Sequence, residues 1–87
     1  MATLSSDVLQ DDLAVTLARV MATANKRARE LGVDTVQSLI TITQRFDNGI
    51  LWRVNYGPKD YIGRRGGDLI IEVGGEDIRI KQVLRGQ

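Results

Sequence analysis

Cysteine and histidine are both missing from this 87-residue chain, and proline occurs once. Without them there are no thiolate or imidazole ligands for zinc, haem or iron–sulfur centres. The Ser-His-Asp and Cys-His triads and any disulfide framework are likewise excluded. Charge of one sign is lacking too: twelve Lys and Arg face eleven Asp and Glu, for a formal net charge of +1. A balance so close to zero gives no global attraction toward nucleic acid or an anionic membrane. No apolar run approaches the roughly 20 residues that a membrane helix needs. The start, Met1-Ala2-Thr3-Leu4-Ser5-Ser6-Asp7, has no basic segment leading into an apolar one, so a cytoplasmic location is expected.

What is present fits one small folded domain. Hydrophobic residues make up 43% and charged residues 26% of the chain, an ordinary globular composition. A domain this short buries only about 60–65% of the surface its unfolded chain exposes. Dimerisation is one common way to add buried area when disulfides and metals are absent.

The first third reads as a helix over about residues 7–31. Leu9, Leu13, Leu17, Val20, Ala24, Ala28 and Leu31 form a spine that advances 22 positions in six steps, close to the helical period of 3.6. Ala14, Ala18, Met21 and Ala22 widen that stripe to the breadth of a core-facing helix. Ser6 or Asp7 can cap its start, with Gln10 three residues past Asp7 as in a capping box. Gly32 is the expected stop, in the left-handed conformation. Asp7, Asp11 and Asp12 near the start and Lys26, Arg27 and Arg29 near the end complement the helix dipole.

Beyond Asp34 the period changes to two, and strands are expected at about 36–46, 50–56, 68–73 and 78–85. The first pair shares an apolar set at even positions: Val36, Ile40, Ile42 and Phe46, then Ile50, Trp52, Val54 and Tyr56. Asp47-Asn48-Gly49 separates them. A two-residue turn would pair Phe46 with Leu51 and set the apolar face of one strand beside Arg53 and Asn55. A three-residue loop pairs Phe46 with Ile50, Ile42 with Val54 and Ile40 with Tyr56, and is therefore predicted, with Gly49 left-handed. In the second pair Leu69, Ile71 and Val73 share a face, as do Ile78, Ile80 and Leu84. Around Gly74-Gly75-Glu76-Asp77 either a two- or a four-residue loop keeps these faces together. The expected architecture is α+β, a long N-terminal helix across a four-stranded antiparallel meander in two layers.

Two regions could carry function. Residues 57–67 hold four glycines with Lys59, Arg64 and Arg65, a composition able to form a backbone nest for phosphate or carboxylate. The glycine–lysine order of a P-loop is absent. The outward sheet face is expected to carry Arg45, Arg53, Arg79, Lys81 and Arg85 against Asp68 and Glu72, together with Leu39, Leu51 and Val83. Arginine mixed with apolar residues suits a protein interface. The same cations could contact phosphates. Enzymatic chemistry is not expected: Asp11-Asp12 and Glu76-Asp77 sit where acids serve helix starts and turns. Those acids also lack the ligand spacing of a calcium loop.

Residues 52–87 also resemble known bacterial modules. Trp52-Arg53-Val54, a loop ending Gly66-Gly67, Leu69–Val73, Ile80–Val83 and terminal Arg85-Gly86-Gln87 are similar to a PepSY-type domain. A similar succession occurs in toxin-immunity proteins of the nuclear-transport-factor-2-like fold. The PepSY resemblance implies a helix before an antiparallel sheet and a non-catalytic binding or inhibitory role. The combined expectation is a cytoplasmic, non-enzymatic module without cofactor or metal, binding a protein partner and forming a homodimer. Its candidate contacts are Lys59, Arg64 and Arg65 in the loop and Arg53, Arg79 and Lys81 on the sheet. The alternative is an anion- or nucleic-acid-binding domain using the same cations.

Overall fold

The structure, a computed structural model, describes residues 6–58 and 68–85. Two helical segments, α1 (Ser6–Leu9) and α2 (Asp12–Glu30), precede four strands, β1 (Ser38–Phe46), β2 (Ile50–Pro58), β3 (Leu69–Gly74) and β4 (Ile80–Arg85). The strands form one antiparallel sheet in the order β1-β2-β3-β4, with α2 packed on one face. This is the expected α+β meander. Among the described residues, no helix is long and apolar enough to cross a membrane.

The helix begins later than the apolar spine suggests. A break at Gln10-Asp11 separates one short turn from the 19-residue α2. Asp11, rather than Ser6 or Asp7, caps the main helix: its Oδ1 accepts from the Ala14 amide at 3.0 Å. That bond satisfies an amide with no partner inside the helix, and a cap of this kind contributes about 1 kcal/mol. The end matches expectation closely. Gly32 lies at φ +88, its amide bonds the Arg29 carbonyl at 3.0 Å, and the Val33 amide bonds the Ala28 carbonyl at 2.9 Å. This is a Schellman closure, which places Val33 against the core.

The first hairpin has the three-residue loop, with Phe46 opposite Ile50, Ile42 opposite Val54 and Ile40 opposite Tyr56. Gly49 takes φ +114, and Asn48 joins it at φ +53. The second hairpin departs from simple alternation. The Gly74 amide bonds the Arg79 carbonyl at 2.9 Å, closing a four-residue loop over residues 75–78. Ile78 therefore sits in the turn at φ +52 rather than in a strand. A β-branched residue in that region is strained, and its packing against the core holds it there.

A bulge then changes the faces of β4. Val73 pairs with Ile80, but Glu72 pairs with Gln82, which leaves Lys81 as the extra residue. Past the bulge Val83 lies opposite Ile71 and Arg85 opposite Leu69, both on the helix side, while Leu84 lies opposite Ile70 on the outer face. These three residues are inverted from the sequence expectation, because one unpaired residue reverses every side chain beyond it. Arg85 uses the inversion: its guanidinium donates to the Leu31 carbonyl at 3.1 Å, at the C-terminal end of α2.

The core lies between α2 and the two central strands. Val20, Ala24 and Ala28 meet Trp52, Val54, Tyr56, Leu69, Ile71 and Val73, all buried. The three buried positions of the helix are two alanines and a valine, which let the helix approach the sheet closely. Tyr56 anchors one end by donating to Asn25 Oδ1 at 2.6 Å. Its burial pushes the phenol up to about 12, against the opposing charge of Arg29.

Candidate interaction surface

A single helix about 10–12 Å across cannot cover four strands spaced about 4.8 Å apart. In this chain α2 packs on β3 and β2; on β1 Ile40 packs against the core, and the strand beyond it is left outside that cover. From Thr41 to Phe46 every residue of β1 is exposed, apolar positions included. Phe46 keeps 77% of its surface open, and Ile42, Ile50 and Leu39 are exposed as well. Val36, just ahead of the strand, is also exposed. Ile42, Phe46 and Ile50 share the helix-side face through the register of the hairpin, and Leu39 lies on the other face. At the start of α2, Leu13 is exposed, as is Leu9 in α1. The apolar periodicity of these residues predicts burial, and it misses that the helix and β1 both run past the core.

The two edges of the sheet differ in kind. β4 carries a bulge, Lys81 and Arg85, and is only six residues long. Those are features by which native edges discourage further pairing. β1 is nine residues long, pairs regularly with β2 throughout, and has Arg45 as its one charged residue. It presents a long, regularly paired and partly apolar edge.

The cations anticipated as contacts are dispersed. Lys59, Arg64 and Arg65 lie outside the described residues. Arg53 is on the outer face as expected, but it is engaged: Nε and Nη2 donate to Glu72 Oε2 at 3.0 and 2.7 Å. Glu72 is only 6% exposed, so this pair is part of the sheet's own structure. Lys81 holds Asp77 Oδ2 at 2.6 Å across the β3–β4 turn. The Lys81 bond, with the Arg79 amide, draws the Asp77 carboxyl below its ordinary range. Arg79 sits in that turn ahead of β4, and Arg85 has moved to the helix side. Arg45 on β1 keeps an exposed outer-face position; Arg79, Lys81 and Arg85 are exposed too, but at the turn, in the pair with Asp77 and on the helix side respectively. The concentration of positive charge expected on the outer sheet face is therefore not assembled there by the described residues.

Two open clefts lie among the described residues. One, of about 350 Å³, is lined by Thr23, Lys26, Arg27, Glu30 and Ile80. The other, of about 210 Å³, lies between the two hairpin turns and includes Asn48, Gly75 and Asp77. Both are shallow and solvent-open, unlike the enclosing pockets that bury most of a small ligand. Among the described residues, two buried polar atoms, Trp52 Nε1 and Asn55 Oδ1, have no hydrogen-bond partner, although the Asn55 amide nitrogen donates to Asp68 Oδ2 at 2.8 Å.

Comparison of the chain with protein-family models, with curated proteins and with solved structures returns no match.

Proposed function

We propose that this chain is a non-enzymatic interaction module that binds a protein partner along β1. The observation that carries this reading is the contrast between edges: β4 is bulged and charged, whereas β1 is regular, nearly uncharged and flanked by exposed Phe46, Ile42 and Leu39. Strand addition to such an edge draws affinity from backbone hydrogen bonds and specificity from the alternating side chains. The PepSY-type resemblance of residues 52–87 is in keeping with a binding role. The nucleic-acid alternative loses support from Arg53 and Lys81, whose charges are already matched by Glu72 and Asp77.

A photoreactive phenylalanine analogue at position 46, compared with one at exposed Asp12, tests the reading in cells producing the chain. Protein adducts specific to position 46 are expected. Equal labelling from both positions, or nucleic-acid adducts from position 46, would overturn it.

A further inference from the structure

Resting on the reading of β1 as a binding edge, we propose that its partner is a second copy of this chain, joined β1 to β1 in an antiparallel, two-fold-symmetric pair centred on Ile42. A two-fold axis perpendicular to a sheet preserves its faces, so opposed residues across the junction must have the same parity. The face-preserving register that pairs all nine residues of Ser38–Phe46 is the one centred on the middle residue, Ile42. It sets Ile42 against Ile42 of the second copy, Ile40 against Gln44 and Ser38 against Phe46. On the other face Thr41 meets Thr43 and Leu39 meets Arg45.

The chemistry of the strand fits itself in this register. Arg45 is its one charge, and it falls beside the aliphatic Leu39 rather than beside its own counterpart. The two arginines stand six residues apart, roughly 20 Å, beyond the ~8 Å screening length at physiological salt. Central Thr41–Thr43 pairs are favourable neighbours on a sheet. Phe46 covers Ser38 of the second copy and, by the diagonal contact, reaches toward its Ile40 and Val36. The area is adequate. Open surface on Phe46, Leu39, Ile42 and Val36 sums to roughly 300–400 Å² of apolar area per copy. Doubled by symmetry and extended by two nine-residue backbone edges, it approaches the ~1,000 Å² of a specific interface. The product is an eight-stranded sheet, twice the four of one copy, with both α2 helices on one side and a bulged, charged β4 at each outer edge.

Light scattering on the whole chain and two double variants tests this register. The unmodified chain is expected at twice its 9.6 kDa mass at high micromolar concentration. Thr41→Lys with Thr43→Lys places like charges directly opposite at two pairs and is expected to give the single-chain mass. Thr41→Lys with Thr43→Glu creates two opposite-charge pairs and is expected to retain the dimer, more strongly at low salt. Both threonines are exposed, so circular dichroism should show the fold retained in both variants, with urea midpoints compared at dilutions where every chain is monomeric. A single-chain mass for the unmodified chain throughout would overturn the second-copy proposal, while protein adducts at position 46 would still uphold β1 as a binding edge. A dimer indifferent to both double variants would place the interface elsewhere and overturn it equally.

Discussion

Replacing Arg53 by alanine should destabilise the fold by about 2–3 kcal/mol, far more than a surface ion pair is worth. The Glu72 side chain retains 8% of its exposure, against 36% for Arg53, so the carboxylate is the member that depends on the pair. Two N–H groups of one guanidinium converge on its Oε2, and truncation removes both at once. Breaking a buried pair by deleting one member costs about 3–5 kcal/mol. The partial exposure of Arg53 admits some water and lowers that figure. For a domain of this size the loss corresponds to a fall in Tm of roughly 10–20 °C. Urea unfolding with an unchanged m-value is the assay, since a shift in midpoint alone reports stability. Replacing both residues by leucine should recover stability to within about 1 kcal/mol of the original, because no charge is then left unpaired. A cost for Arg53→Ala below about 0.5 kcal/mol would refute the reasoning and reduce the pair to an ordinary surface contact. Arg53 would then be free to serve as the binding cation its sequence position suggested.

Deleting Lys81 should leave the fold intact, because Ile80 opposite Val73 and Gln82 opposite Glu72 then become consecutive in one regular ladder. The exposed bridge to Asp77 goes with it, so a stability change within about 1 kcal/mol is expected, together with retained cross-strand proton contacts between Glu72 and Gln82. Loss of those contacts would contradict the bulge. Alkaline stability should depend on Tyr56. Its phenol is pushed up to about 12 in the fold, so between pH 10 and 12 the unfolded chain gives up this proton while the folded chain keeps it. Stability therefore falls as pH rises through that window and is untouched below it. Tyr56→Phe should flatten this part of the pH profile while costing about 1 kcal/mol at neutral pH through the lost bond to Asn25. An unchanged alkaline slope in the variant would contradict the assignment.

Much of the architecture was legible because local signals and faces agreed. Gly32 stood where a left-handed residue was needed, and the structure builds a Schellman closure on it. Matching apolar faces decided the three-residue loop, since any slip would have set Arg53 beside Ile42. The remainder turned on competition that alternation alone does not reveal. Leu9 and Leu13 continue the apolar spine, but Asp11 caps the main helix between them and neither reaches the core. In β4 the runs containing Ile80 and Val83 are out of phase. Both face the helix because Lys81 bulges, which also delivers Arg85 to the open carbonyl of Leu31.

The candidate surface was the least legible part. Basic residues pointed to the outer face, and the structure matches two of them with Asp77 and Glu72. The exposed edge instead consists of residues that read as core in the sequence, Ile42 and Phe46 among them. Their exposure follows from the width of one helix against four strands, a constraint visible only once the strand order is known.

If β1 is the edge that pairs with a second copy, the unmodified chain must associate in solution. Light scattering of the unmodified chain through a dilution series tests it most directly. A mass of twice 9.6 kDa is expected at high micromolar concentration, falling toward 9.6 kDa on dilution. A mass of 9.6 kDa at every concentration would contradict it.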